Sequence, residues 1–106
     1  MELTMMTEVS DFNAVSNGNV ILDFYTSTCM PCKLLQGVLE EVSNKYCDIR
    51  VAKVDVTLNP DMTQMFGIMS VPTMVFMKDS QVQHISHGFS NKESVMTMVK
   101  KYYNCA

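Results

Sequence analysis

From Asn19 to Tyr25 the chain reads N-V-I-L-D-F-Y, an apolar run broken by a single acid. A run without polar alternation suits a strand covered on both faces. From Cys29 onward the period changes: Met30, Leu34, Leu35, Val38, Leu39, Val42 and Tyr46 recur at helical spacing. Pro31 falls in the first turn, where its missing N–H is not needed. The pattern therefore predicts a helix capped by Cys29. Ile49 to Val56 reads as a second buried strand, and Asn59-Pro60 supplies an N-cap and a first-turn proline for a short helix that Gly67 ends. Thr73 to Met77 and Gln81 to His87 are predicted strands, separated by Lys78-Asp79-Ser80 and so close enough for a hairpin. Ser90-Asn91-Lys92-Glu93 has the capping-box pattern ahead of Val95, Met98, Val99 and Tyr102, which predict a closing helix. At the other end, Glu2 to Met6 is expected as an edge strand and Glu8 to Val15 as a first helix. Helices alternating with strands this apolar imply an α/β fold, a mixed sheet with helices on both faces.

Composition narrows the picture without changing it. A chain of 106 residues, 47% of them hydrophobic, can build one core and is too short for two ordinary domains, so residues 1–106 are expected to form one. The net charge is -3 and the eight Lys and Arg residues are scattered, which leaves a nucleic-acid backbone nothing to hold. No basic leader begins the sequence, and no apolar run approaches the roughly 18 to 20 residues that span a bilayer. A soluble, cytoplasmic protein without nucleic-acid or membrane partners is the expectation.

The chemistry to be explained lies in Cys29-Met30-Pro31-Cys32. Two cysteines three positions apart can hold a metal, staple a fold or exchange electrons. Only this pair is close; Cys47 and Cys105 are far off in sequence, which does not suit a disulfide scaffold. A closed zinc site needs a second pair of ligands, and His84 and His87, at i and i+3 of a strand, point to opposite faces. No metal site is expected. In a reducing compartment the pair is then a candidate for redox chemistry.

Taken with its surroundings, the motif resembles the thioredoxin family over essentially the whole chain. The likeness is carried by Asp23 in V-I-L-D-F-Y, by C-M-P-C-K, by Lys53 and Asp55 in A-K-V-D-V, by Asn59-Pro60, by F-G-I followed by S-V-P-T, and by Gly88. The resemblance implies the thioredoxin fold, a central mixed sheet with helices on both faces, and the reduction of protein disulfides. It also implies no bound cofactor, recharging by a flavin- and NADPH-dependent thioredoxin reductase, and a monomer. It places Met30, Pro31, Val71, Pro72 and Gly88 at the substrate, with the Val71-Pro72 bond cis and the Val71 backbone free to pair with an extended segment. Three positions depart from the family pattern. Thr28 replaces the tryptophan before the first cysteine, Met30 replaces the glycine after it, and Tyr25 replaces the other tryptophan; the chain contains no Trp.

Residue chemistry assigns the roles. A thiol at a helix N-terminus faces unpaired N–H groups that favour its thiolate, so Cys29 is the expected nucleophile. Cys32, one turn along, is placed to resolve the mixed disulfide. Lys33, beside the pair, reads as a solvated side chain. Asp23 stands among apolar neighbours; burial raises a carboxyl's pKa, and following the resemblance it is expected to trade a proton with Cys32. Residues 25–32 and 62–77 carry no charge, so Met30, Met69 and Met74 are candidates for a deformable docking face. Most other methionines read as core filler, Cys47 as an inert thiol and Cys105 as a tail thiol. An oxidase or isomerase with a different potential, and a binding subunit with incidental thiols, stay open at this point.

Overall fold

A computed structural model describes residues 6–8, 17–45 and 49–103. Its elements are β1 (Met6–Glu8), β2 (Asn19–Tyr25), α1 (Met30–Lys45), β3 (Ile49–Asp55), α2 (Pro60–Met65), β4 (Thr73–Lys78), β5 (Gln81–His87) and α3 (Lys92–Tyr103). The five strands lie in the order β1-β3-β2-β4-β5. β1, β3 and β2 are parallel, while β4 pairs antiparallel with both β2 and β5. An edge strand lies at Met6–Glu8 and shares only Met6 with the expected Glu2 to Met6, so Glu8 belongs to a strand and not to a helix. Glu2–Met5 and the rest of the expected first helix lie outside the described residues, as do Tyr46, Cys47 and Cys105.

β2 is central, and its residues from Val20 to Tyr25 are all buried. Pleating sends alternate side chains to opposite faces. Ile21 joins Val51, Met74 and Phe76 against Leu35, Leu39 and Val42 of α1 and Val95, Val99 and Tyr103 of α3. Val20, Leu22 and Phe24 join Ala52, Val54, Val75 and Met77 on the other face, against Met62 of α2. Phe66, just past α2, sets its ring 5.7 Å from that of Phe24. Each such side chain contributes about 1.5–3 kcal/mol when fully buried, so the two clusters are the principal source of stability. Tyr103 adds a polar tie: its hydroxyl donates to the Val20 carbonyl at 2.8 Å. Burial pushes the Tyr103 phenol well above its ordinary pKa.

The local signals acted as physics requires, with several shifts. α2 has Pro60 in its first turn, and Gly67, at φ +65°, ends it. The N–H groups of Gly67 and Ile68 return to the carbonyls of Gln64 and Thr63, a Schellman ending. Asn59 precedes α2 as expected but gives its side chain to the Asp55 carbonyl and not to the helix. The cap of α3 is Asn91, not Ser90: its Oδ1 accepts from the Ser94 N–H at 2.9 Å and its carbonyl from Val95. Asp79 and Ser80 close the hairpin with φ of 48° and 71°, a type I′ turn whose twist matches the strands. Pairing passes from Met77↔Val82 to Phe76↔His84, which leaves Gln83 as the bulged residue. On α3 it is Tyr103 that is buried, while Tyr102 is half-buried and stacks on His84. Met74, expected at the docking face, is fully buried in the core; its register partners are Asp23 and Ser86. Leu34, within the helical pattern of α1, is exposed.

Candidate active site

The site grows from the place where β2 gives way to α1. After Tyr25 the chain turns through Thr26-Ser27-Thr28, and the Cys29 N–H closes the turn on the Thr26 carbonyl at 3.3 Å. Cys29 is the N-cap: its carbonyl accepts from the Lys33 N–H at 3.2 Å, and its Sγ accepts from the Cys32 N–H at 3.2 Å. The sulfur thus occupies the position where a serine or aspartate oxygen ordinarily caps a helix. Cys29 and Cys32 are joined as a disulfide with their Cα atoms 5.2 Å apart. The two differ in access, for Cys32 is fully buried and Cys29 only partly. Lys33 is exposed.

The register brings a second segment alongside. Phe24 pairs with Thr73, so the chain reaches β4 beside the point where it leaves β2. The residues just ahead of Thr73 are Val71 and Pro72, joined by a cis peptide bond. The loop is held from two sides. The Gly88 N–H donates to the Pro72 carbonyl at 2.8 Å, and the Thr73 hydroxyl donates to the Ser70 carbonyl at 2.8 Å with His87 Nδ1 3.3 Å away. Gly88 has φ +83°, a conformation that suits glycine. His84 and His87 fall on opposite faces, as their spacing predicts: His84 pairs with Phe76 and His87 with Thr73. Among the described residues no group of three or more His, Cys, Asp or Glu is placed to hold a metal.

Asp23 is fully buried and stands between Lys53 of β3 and Met74 of β4 in the sheet. It shares a sheet face with Ile21, the face that α1 covers, and so lies under the helix whose first turn carries the cysteines. Tyr25 lies two residues on, and the Lys53 ammonium sits 5.2 Å from the centre of its ring, a cation–π contact. Asp55, one of the residues that carry the resemblance, performs a local task. Its carboxylate accepts from the Thr57 N–H and hydroxyl at 2.9 and 2.6 Å, which holds its pKa below the ordinary value and orders the turn into α2.

Apolar side chains are exposed in the motif and in the loop ahead of Pro72, beside the polar Ser27, Thr28 and Lys33. Met30 and Met69 are 62% and 93% exposed, Pro31 is exposed, and Val71 is half-buried. Beside Val71 a groove of about 200 Å³ is lined by Val56, Thr63, Ile68, Met69 and Ser70. Two further exposed apolar residues, Leu34 and Phe89, are not anticipated by the sequence pattern as read above. A signal for Leu34 is present, since it follows Met30 by four positions and must share its side of the helix. Phe89 adjoins Gly88 and carries no pattern of its own.

The arrangement can do one thing readily: a partly exposed sulfur on a helix cap, bonded to a buried one, can open and close by exchange with another disulfide. Comparison with known proteins agrees. The thioredoxin family model matches residues 4–101. A thioredoxin of Bacillus subtilis is 35% identical over 103 residues, covering 96% of this chain and 99% of its own. One from Listeria monocytogenes is 33% identical over 102 residues, covering 92% and 99%. Among solved structures, a mutant thioredoxin of Halobacterium salinarum superposes with a TM-score of 0.85 at 26% identity, covering 92% of this chain and 89% of that one. The Malassezia sympodialis thioredoxin does so at 0.80 and 27%, covering 90% and 88%. The chain belongs to the thioredoxin family, and its activity is thiol:disulfide exchange with protein disulfides.

Proposed function

We propose that Cys29 is the nucleophile and Cys32 the resolving thiol of a C-M-P-C active site that reduces protein disulfides. The observation that carries the assignment is the unequal access of two bonded sulfurs on one helix cap, Cys29 partly exposed and Cys32 fully buried. In the reduced protein the Cys32 N–H and the N-terminus of α1 favour the Cys29 thiolate. It attacks one sulfur of the substrate, a mixed disulfide forms, and the first substrate thiolate leaves. Cys32, one turn along and already within bonding reach, then attacks the Cys29 sulfur and expels the second thiolate. Two electrons pass to the substrate, and the protein is left oxidised. Asp23, under the same helix, takes the proton that Cys32 must lose, through water.

Binding follows from the neighbouring segments. An extended substrate pairs with the Val71 backbone, next to the cis bond at Pro72, while Met30 and Pro31 supply apolar contact. Gly88 holds the Pro72 loop through its N–H and presents no side chain to the substrate. The protein acts as a single-domain monomer in the cytoplasm. It carries electrons on its own sulfurs, with no bound cofactor, and a flavin- and NADPH-dependent thioredoxin reductase restores the dithiol.

The test separates the two thiols. Cys29→Ser should abolish reduction of insulin disulfides with dithiothreitol as reductant, whereas Cys32→Ser should accumulate a mixed disulfide through Cys29, visible by mass spectrometry. Full activity in the Cys29→Ser protein would end the assignment.

A further inference from the structure

Thr73 is a buried polar residue at the start of a strand that is otherwise apolar as far as Met77. A hydroxyl taken out of water costs stability unless it is hydrogen-bonded, so its partners must be accounted for. The Thr73 hydroxyl carries one proton and donates it to the Ser70 carbonyl at 2.8 Å, an oxygen that can only accept. Its lone pairs then remain for His87, whose Nδ1 is 3.3 Å away. That contact follows from the register: Thr73 and His87 stand opposite each other at the last rung of β4 and β5, where cross-strand side chains meet. With the hydroxyl proton already committed, the bond forms only if Nδ1 carries a hydrogen. The geometry thereby selects one tautomer of neutral His87, with Nδ1 protonated and Nε2 bare. The next residue acts on the same loop, since the Gly88 N–H donates to the Pro72 carbonyl at 2.8 Å. Two successive residues at the end of β5 therefore secure the carbonyls on either side of the cis Val71-Pro72 unit.

We propose that His87 is a positioning residue for the exchange reaction: through the Thr73 hydroxyl it holds the Ser70 carbonyl, and so sets the direction of the Val71 backbone against which an extended substrate segment pairs. The role rests on the function given above, in which Val71 binds that segment. A backbone group is ready to pair only while its peptide plane is held; otherwise the loop must be ordered as the substrate binds, and affinity falls. His87 is exposed, so its side chain contributes little to the core, and the bond to Thr73 is the main thing a substitution there removes. A disulfide too small to reach Val71 does not use the loop. Its reaction with Cys29 is indifferent to His87.

Two measurements test it. The first needs no substitution in the protein observed: a nitrogen-15 spectrum of the imidazoles, recorded at a pH where they are neutral, should show His87 with its proton on Nδ1, although an unconstrained histidine side chain favours Nε2. The chain has two histidines, and the resonance missing from His87→Asn identifies the one in question. A proton on Nε2 would overturn the network. The second measurement mixes pre-reduced protein, freed of reductant, with insulin or with 4,4′-dithiodipyridine in single turnover, and reads the ratio of the two second-order rate constants. His87→Val should lower the insulin-to-dithiodipyridine ratio roughly fivefold, the effect of one hydrogen bond. Thr73→Val should lower it at least as far, and adding His87→Val to Thr73→Val should lower it no further, since the bond is already gone. His87→Asn, whose side-chain amide donates from near the place of Nδ1, should restore most of the ratio. An unmoved ratio in His87→Val, losses that multiply in the double variant, or an Asn variant as impaired as the Val one would each overturn the positioning role while leaving the exchange reading intact. A wild type inert toward both oxidants would overturn the exchange reading and the role with it.

Discussion

The paired strands β2 and β4 have two ends, and the chain treats them oppositely. Where β2 begins, side chains reach across to lock the backbone. Asp79 Oδ1 accepts from the Gly18 N–H at 2.9 Å, Arg50 donates to the Asn17 carbonyl at 2.6 Å, and Tyr103 donates to the Val20 carbonyl. Where β2 ends, the backbone bonds are Cys29 to Thr26, Val56 to Tyr25 and Gly88 to Pro72, and the side-chain bonds from Thr57 to Asp55 and from Thr73 to Ser70 are short in sequence. The side-chain acceptor in the first turn of α1 is the reactive sulfur itself. At one end side chains bond groups 33 to 83 positions away; at the other the side-chain bonds to Asp55 and Ser70 span two and three positions, and a sulfur caps the helix. The same ladder therefore supplies rigidity at one edge and a prepared, reactive surface at the other, in keeping with the tendency of functional sites to depart from what stability alone selects.

The comparison is sharpest at Asp23, the buried acid nearest the reactive end. Asp23 is fully buried in the sheet, and a polar group taken out of water costs stability that an apolar residue does not. Asp23→Ala should therefore raise stability at neutral pH. The same change should slow resolution of the mixed disulfide by roughly tenfold or more, since a proton acceptor is gone. Melting curves and single-turnover kinetics decide it; a variant that is less stable and equally fast would make Asp23 an ordinary structural residue and dissolve the contrast between the ends.

At the locked end the expected signs reverse. Tyr103→Phe keeps the ring in the core and removes the bond to Val20, which should cost about 1 kcal/mol without altering the exchange rate. It should also remove an alkaline dependence. The fold favours the neutral phenol, whose native pKa is raised by burial, so the stability it contributes is complete below the unfolded value of about 10 and declines as pH rises beyond it. Denaturant melts of both proteins at neutral and alkaline pH should converge as pH rises. A Tyr103→Phe protein with altered insulin reduction would mean that the two ends are coupled.

The reactive end was the more legible of the two in the sequence, for a physical reason. A cysteine before a helical period, a proline in its first turn, V-P-T ahead of a strand and an acid inside an apolar run are local signals, and each reports a local constraint. Tyr103, Arg50 and Gly18 act across 83, 33 and 61 positions, and no short-range pattern encodes such partners. The misplacement of Met74 has a related cause. β4 is buried on both faces, so Thr73 to Met77 shows no alternation from which a buried and an outward methionine could be told apart. The cap of α3 moved by one residue because Ser90 and Asn91 can both cap a helix, and only the path of the chain from Gly88 to Lys92 selects between them. Phe89 stayed invisible because residues 88–91 form a loop, with no periodicity from which exposure could be read.

The smallest effect tests whether the locked end is optimised or merely adequate. Asp79 and Ser80 both have positive φ, and for a residue with a Cβ that conformation costs roughly 1 kcal/mol relative to glycine. Asp79 offsets its cost by accepting from the Gly18 N–H, so Asp79→Gly trades relief of strain for a lost bond and should come out near neutral or slightly worse. Ser80 is exposed and held at φ 71°, so Ser80→Gly should relieve the turn. Part of the gain is returned, because glycine enlarges the conformational freedom of the unfolded chain. The balance is a stabilisation of about 0.5 kcal/mol, or a rise of roughly 2–4 °C in Tm for a chain of this size. Insulin reduction should not change, since the turn lies at the opposite end of the ladder from Cys29. A lower Tm for Ser80→Gly than for Asp79→Gly would reverse the assignment, making the serine the residue that secures the turn and the Gly18 bond incidental.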